Sequence, residues 1–192
     1  MADSNITKRA LAQNMKELMA EKPFNKISVG DICERCGMNR KSFYYHFQDK
    51  YDLVNWIFYT EFISNVRLEE QSSAWGLLDD ICTYFYRERQ FYRSALQIQG
   101  QNSFREYFVQ VMAPFIMRFN QRVFPAMDQE THKFAFTFLT DAFTASMVRW
   151  LSEGAKLTAK EYLDQLRDLL VALARYIMTD LNSANGSCEY SF

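Results

Sequence analysis

Residues 39–53, with the sequence NRKSFYYHFQDKYDL, combine ring side chains and positive charges at high density. Positions 43–47 hold four aromatic rings and a histidine, Arg40 and Lys41 precede them, and Lys50 follows. Burial in a hydrophobic core would explain the rings, and a solvated loop would explain the cations. Neither explanation accounts for both. Cationic side chains bind phosphate, and aromatic side chains contact base edges and methyl groups. This combination of residue types favours contact with a nucleic acid.

A second group of residues could bind metal or act in redox chemistry. Cys33 and Cys36 form a C-x-x-C pair, and His46 follows nearby in the sequence. A structural zinc site requires four ligands, and only these three lie close together. We interpret both thiols as free, buried cysteines and predict neither a metal nor a cofactor. The four cysteines at positions 33, 36, 82 and 188 do not form a disulfide framework and suggest reduced thiols.

The sequence gives no support for an enzyme. It contains only two histidines, at positions 46 and 132, with no glycine-rich phosphate loop and no nucleophile motif. Hydrophobic residues make up 48% and charged residues 23% of the 192 positions, and only six Gly and three Pro are present. This composition predicts a helical globular protein rather than a turn-rich β protein. The sequence has no apolar run long enough to span a membrane, and its first residues do not resemble a signal peptide. We therefore expect a cytoplasmic protein.

Helix signals surround the aromatic segment and would position it. Apolar residues from position 6 to position 19 recur at helical spacing, and Pro23 ends that run. Ser28 and Asp31 occupy capping-box positions, and Gly37 suits a left-handed helix end. Asn39 then caps a short third helix, and position 49 can cap a fourth. Two helices joined by a short turn that contains glycine form a helix-turn-helix, here residues 28–47.

On the short third helix, Phe43 and Phe47 lie four positions apart and would face inward. The outward face could then enter the major groove of DNA, where Lys or Arg binds guanine and an aromatic ring contacts the thymine methyl group. Tyr44, His46 and Lys50 suit phosphate oxygens. The alternative is that the tyrosines only pack against the fourth helix, which leaves the cations without a role. The predicted DNA-contacting residues are Ser28, Asn39, Arg40, Lys41, Ser42, Tyr44, Tyr45, His46 and Lys50.

The charge distribution agrees with this prediction, although the excess is small. Residues 1–50 hold nine Lys or Arg and six Asp or Glu, a net charge of +3, whereas residues 51–192 sum to −4 within a total of −1. A chain with a basic N-terminal part and an acidic remaining part can bind a polyanion through the N-terminal part alone.

The stretch around KISVGDICERCGMNRKSFYYHFQDKYDL resembles the DNA-binding region of the TetR/AcrR family of transcriptional regulators. The matching elements are Ser28, Ile32, Gly37, the SFYYHF segment and DKYDL. The segments EKPF and GMNRKSFYYHFQDKYDLVNWIF further resemble the dihydroxyacetone-kinase-type regulators within that family. Two departures are Pro23, where Gly is usual, and Gly30, where many relatives carry a larger side chain. Gly30 suggests that specificity depends more on the third helix.

The resemblance implies an all-α homodimer with a three-helix N-terminal helix-turn-helix head and a larger helical-bundle body. We predict a DNA-binding domain at residues 1–50, an effector-binding and dimerisation domain at 51–182, and a disordered tail at 183–192. Two long apolar helices in the body would form the dimer interface. The alternative is that both helices fill a monomeric bundle. The predicted interface residues are Ala135, Phe138, Ala142, Ala145, Arg149, Leu166, Leu170, Leu173 and Ile177.

Aromatic residues are dense between positions 75 and 124 and could surround a pocket for a planar or apolar effector. Rings at helical spacing are more often part of a core. The predicted pocket residues are Tyr84, Phe104, Tyr107, Phe108, Phe115, Phe143 and Met147.

The sequence thus predicts a transcriptional regulator that binds a palindromic double-stranded DNA operator as a homodimer. A small-molecule effector or a protein co-regulator would modulate its DNA affinity. The alternative is a protein-binding adaptor whose aromatic body recognises another protein. No membrane partner is expected.

Overall fold

The computed structural model describes residues 2–65, 74–100, 102–123 and 128–186, and all regular secondary structure in these ranges is helical. The α-helices are α1 (Ala2–Glu21), α2 (Val29–Arg35), α3 (Arg40–His46), α4 (Lys50–Glu61), α5 (Ala74–Arg87), α6 (Arg89–Ala95), α7 (Phe104–Val123), α8 (Gln129–Ser152) and α9 (Ala159–Gly186). Short 3-10 turns at Phe24–Lys26 and Ile63–Asn65 follow α1 and α4. The predicted all-α fold class is therefore confirmed.

Local capping interactions fix both ends of α2. The Asp31 N–H donates to the Ser28 hydroxyl oxygen at 3.1 Å, and the Ser28 N–H donates to the Asp31 carboxylate at 2.8 Å. At the other end Gly37 adopts a left-handed conformation with φ of +64°, which a residue without a side chain adopts without strain. The Met38 N–H then donates to the Cys33 carbonyl at 2.8 Å. These bonds satisfy backbone groups that a short helix would otherwise leave unpaired.

Side-chain caps also fix where α3 and α4 begin. The Asn39 side-chain oxygen accepts from the Ser42 N–H at 2.8 Å. The Asp49 carboxylate accepts from the N–H groups of Tyr51 and Asp52, each at 2.8 Å. Such caps are worth about 1 kcal/mol each, which matters for a seven-residue helix such as α3.

Helices α1, α2 and α3 form a unit that we call the head, and α5 to α9 form the body. The buried residues of the head include Leu11, Met15, Leu18, Ile32, Phe43 and Phe47. Phe43 and Phe47 face inward as their spacing predicted, although Ile6, in the apolar pattern of α1, is 66% exposed. α3 therefore has an inner face fixed by packing and an outer face free to bind.

α4 belongs to both units. Leu53 is fully buried, and Trp56 contacts the Phe47 ring of the head with centroids 5.6 Å apart. Two residues after Trp56, Phe58 packs among rings of the body, including Phe104 at 5.4 Å and Phe108 at 5.7 Å. A change in the position of α4 would therefore move the two units relative to each other.

α8 and α9 cross near their connecting turn. Trp150 stacks on Tyr162 with centroids 4.5 Å apart, and its indole N–H donates to the Leu157 carbonyl at 3.0 Å. α8 packs on α6 and α7, and α9 packs on α5. Beyond the crossing, large apolar side chains remain exposed. They are Phe134, Phe138, Leu169, Leu170, Val171, Leu173 and Tyr176. No helix within the described ranges has the length and apolar content needed to cross a membrane.

Candidate nucleic-acid interface

α3 presents aromatic and cationic side chains on one face while its other face is buried. Phe43 is 0% exposed and Phe47 3%, whereas Tyr45 is 82% and Tyr44 57% exposed. Arg40 and Lys41 at the start of the helix are exposed as well. The buried rings hold the helix, so the exposed side chains keep a fixed spacing without further ordering. This geometry suits insertion into the major groove.

The smaller polar residues near α3 are accessible to solvent and also bond to or contact other residues of the chain. The Asn39 side-chain oxygen accepts from both the N–H and the hydroxyl group of Ser42, at 2.8 and 3.2 Å. The Ser28 hydroxyl oxygen accepts the capping bond of α2, and its own proton can still be donated. His46 is half-buried, and its ring contacts the Tyr45 ring edge-on at 4.9 Å. These contacts orient Tyr45, while Asn39 and Ser42 are largely engaged with each other.

The geometry of Lys50 does not favour the phosphate contact predicted for it. Its ammonium group donates to the carbonyl oxygens of Phe24 at 2.8 Å and Ile27 at 2.7 Å. It also lies 4.3 Å from the centre of the Phe24 ring. Burial lowers the pKa of Lys50, and the nearby carboxylates of Asp31 and Asp49 oppose that shift. Lys50 therefore links the start of α4 to the turn after α1, which is a structural role.

The cysteine pair adjoins α1 rather than a ligand site. Cys33 is buried, and the Cys36 thiol donates to the Ala10 carbonyl at 3.7 Å. Burial raises the pKa of Cys33, and it raises that of Cys36 to about 11, so both thiols are protonated near neutral pH. Among the residues that the structure describes, no three His, Cys, Asp or Glu side chains are placed to hold a metal ion.

Most of the predicted effector-pocket residues lie in a packed core rather than around a cavity. Tyr84, Phe104, Phe108 and Met147 are buried. The three aromatic rings all contact the Phe58 ring of α4, and the Phe104 and Phe108 centroids lie 6.2 Å apart. Rings at helical spacing fill a bundle because neighbouring helices interdigitate them. Phe143 is partly buried against this core, and the Phe115 side chain is outside the described part of the chain.

Tyr107, another predicted pocket residue, borders open space. It lines a groove of about 360 Å³ between α4 and α7. The groove is also lined by Asp52, Asn55, Trp56 and Glu106. The Asn55 side-chain oxygen is shielded from solvent and accepts no hydrogen bond from the residues that the structure describes. This groove touches the helix shared by head and body.

Most of the predicted dimer-interface residues are accessible in the single chain. Phe138 is 60% exposed, and Ala142, Ala145 and Arg149 follow it along the same side of α8. On α9, Leu170 and Leu173 are exposed. Ala135 and Leu166 are partly buried, and the Ile177 side chain lies outside the described residues. α9 extends to Gly186, four positions into the predicted tail, and residues 187–192 are not described.

An ion-pair network between head and body was not predicted from the sequence. The Lys16 ammonium group donates to Glu61 at 2.6 Å and to Glu88 at 3.2 Å. Glu61 also accepts from the Tyr84 hydroxyl at 2.8 Å, and Tyr84 shares a hydrogen bond with the buried Tyr92. The charged partners are 45 and 72 positions apart, so no local pattern links them.

Comparisons with known proteins agree with this geometry. Residues 16–57 match the family described as bacterial regulatory proteins, tetR family, and residues 75–171 match a transcriptional regulator C-terminal region. A curated relative is the HTH-type dhaKLM operon transcriptional activator DhaS of Lactococcus lactis subsp. lactis (strain IL1403), which is 32% identical over 75 residues. That match covers 39% of this chain and 40% of the relative.

Solved structures share the fold over most of the chain. The dihydroxyacetone kinase operon activator DhaS superposes with a TM-score of 0.62 at 21% identity, covering 89% of this chain and 97% of that one. NalD, the secondary repressor of the MexAB-OprM multidrug efflux pump in Pseudomonas aeruginosa, gives a TM-score of 0.65 at 20% identity, covering 88% and 96%. The matched families and these relatives are regulators rather than enzymes. This chain therefore belongs to the TetR family of transcriptional regulators.

Proposed function

We propose that the protein binds a palindromic DNA operator as a homodimer in the cytoplasm, with one α3 helix in each of two major grooves. The observation that carries this proposal is the division of α3 into a buried face and a face that exposes Tyr44, Tyr45 and Lys41. Residues 1–50 would bind DNA, and residues 51–182 would dimerise and respond to an effector.

On DNA, the exposed side chains of α3 divide into two groups. Lys41 and Tyr45 extend from the outer face, where an ammonium group can donate to guanine and a ring can contact a thymine methyl group. Arg40, Tyr44 and Ser28 flank this face and can donate to phosphate oxygens, which fix the position of the head without reading sequence. Asn39 and Ser42, which bond to each other, would support the helix start at the DNA surface.

The exposed apolar stripe of α8 and α9 supports the dimer. It includes Phe138, Leu170, Leu173 and Tyr176, which a monomer would leave in water. Burial of such groups contributes roughly 25 cal/mol per Å² of apolar surface. Small residues at 142 and 145 allow close approach of the partner helix, as in four-helix interfaces. Two heads joined in this way would bind half-sites about one turn of DNA apart.

Regulation would act through α4. An effector changes DNA affinity only if it binds two arrangements of the protein unequally. The groove beside Tyr107 is bordered by α4 on one side and α7 on the other, so an occupant would contact both head and body elements. The Lys16 ion pairs to Glu61 and Glu88 join α1 to α4 and to the start of α6. We propose that a small ligand or a protein partner shifts α4 and thereby the spacing of the two heads.

Capture of sheared genomic DNA on the purified protein, followed by sequencing, tests the function. We expect enrichment of fragments that share an inverted repeat, with half-site centres about 10 base pairs or a multiple of this apart. Tyr45→Ala protein, handled in parallel, should enrich these fragments less strongly while it still binds DNA in general. If the native protein enriches no sequence but retains a specific protein from the same extract, the adaptor function replaces DNA recognition.

A further inference from the structure

Gly30 in the first turn of α2 lies directly beneath the side chain of Arg40. A Cβ atom built on Gly30 would lie 2.6 Å from Arg40 Nη2 and 3.4 Å from its Cζ. It would also lie 3.3 Å from the Ser28 hydroxyl oxygen. The first distance is shorter than carbon and nitrogen atoms tolerate, so the guanidinium group occupies the volume of the missing side chain. A residue without a Cβ atom is therefore required for the guanidinium group to keep this position.

The charge of the Arg40 guanidinium group also acts on Cys33 of α2. Burial raises the pKa of Cys33, and the positive charge of Arg40 opposes this rise. Arg40 is the first residue of α3, yet its charged end lies over α2 rather than along the outer face of its own helix. It remains exposed to solvent, so its remaining N–H groups are accessible.

We propose that Gly30 is a positioning residue for DNA binding, because it allows α2 to hold the Arg40 guanidinium group beside Ser28 for contact with a DNA phosphate. In a helix-turn-helix the first helix crosses the DNA backbone while the second enters the groove. A guanidinium group held on α2 therefore faces phosphate oxygens rather than base edges. This proposal rests on the proposed function, since it requires α3 to lie in the major groove.

Gly30→Ala distinguishes a positioning role from a structural role, because it should lower DNA affinity without lowering the stability of the fold. Alanine favours a helix over glycine, and the atom that must move is the end of a flexible side chain. The melting temperature should therefore stay equal or rise. Affinity for DNA should fall about tenfold, as expected for one displaced charge-assisted hydrogen-bonding group.

The experiment is a double-mutant cycle on a labelled 30-base-pair duplex of mixed sequence, because a phosphate contact does not require the operator. Binding is measured by fluorescence anisotropy at several salt concentrations. Arg40→Ala should weaken binding about tenfold and reduce the salt slope by about one unit. Adding Gly30→Ala to Arg40→Ala should have no further effect. Lys41→Ala is the matched control, since it also removes one cation from α3, and there Gly30→Ala should keep its full effect.

Each result decides the proposal. It is overturned if Gly30→Ala binds like the native protein, if its effect persists without Arg40, or if it lowers the melting temperature. Failure of the native protein to bind any duplex, including the genomic fragments, would refute the proposed function and this inference with it. Normal native binding with an additive cycle would refute the inference alone.

Discussion

The head and the body both expose large aromatic side chains, but their surroundings differ. Tyr45 in the head is 82% exposed, close to Arg40 and Lys41. Tyr176 in the body is 72% exposed and lies on α9, which also exposes Leu169, Leu170 and Leu173. Rings beside cations suit a polyanion, whereas rings among aliphatic groups suit another apolar surface. Under the proposed function, the head surface would contact DNA and the body surface would contact a second copy of the chain.

The largest expected effect on operator affinity comes from introducing a charge into the proposed dimer interface of the body. Ala142→Glu would place two like charges near each other in the proposed interface and should produce monomers. A single head holds only one half-site, so operator affinity should fall by a factor on the order of a hundred or more. Sedimentation velocity and anisotropy on the captured operator measure the two effects. Lys133→Glu, on the same helix outside the stripe, should remain dimeric; dimeric Ala142→Glu protein would place the interface elsewhere.

Removal of the exposed groups of α3 should affect sequence recognition next most strongly. Tyr45→Ala and Lys41→Ala should each reduce the preference for operator over random DNA by about 1–3 kcal/mol. Competition titrations at several salt concentrations give that ratio. Tyr59→Ala removes a comparable exposed ring from α4 and should leave the ratio unchanged. An intact preference in Tyr45→Ala protein would mean that the outer face of α3 has been assigned wrongly.

Substitution of Lys50 tests whether this cation stabilises the fold or contacts DNA. Lys50→Met removes two hydrogen bonds to backbone carbonyls and should reduce the free energy of unfolding by about 1–3 kcal/mol. The ratio of operator to random DNA affinity should not change. Urea unfolding compares it with Lys41→Met, which removes an exposed cation and should leave stability nearly unaltered. Unchanged stability, together with a reduced salt slope, would restore Lys50 to the DNA surface.

The smallest effect concerns the cap of α2. Hydrogen bonds from the Ser28 backbone, Lys22 and the Ser28 hydroxyl lower the pKa of Asp31 from 3.8 to about 2. Because the folded pKa is below the unfolded one, the stabilisation is present above about pH 4 and disappears as the pH falls through about 2. Asp31→Asn should therefore melt below the native protein at pH 6, and the gap should close towards pH 2. A gap that does not depend on pH would contradict a charged cap.

The head could be predicted from the sequence because its signals are local. Ser28, Gly37, Asn39 and Asp49 fix helix ends through partners within five positions, and the structure has each of these caps. Phe43 faces inward because of helical spacing alone. The two hydrogen bonds of Lys50 could not be anticipated, since their acceptors lie 26 and 23 positions away, across a turn.

The body was less predictable because its contacts are distant in sequence. Aromatic spacing indicated a buried helix face but could not distinguish rings that surround a cavity from rings that fill a core, as Phe104 and Phe108 do. The ion pairs of Lys16 depend on how α1, α4 and α6 pack together. The exposed stripe of α8 and α9 was predictable, because apolar residues beyond those needed for one bundle follow both helices.

Light scattering on the native protein, alone and bound to the captured operator duplex, tests the central claim most directly. Each chain has a mass of 22.7 kDa, so we predict a particle of twice that mass at micromolar concentration. On the operator, the mass should increase by that of one duplex, with both half-sites protected from cleavage. A 22.7 kDa particle that binds one half-site without its partner would contradict the account.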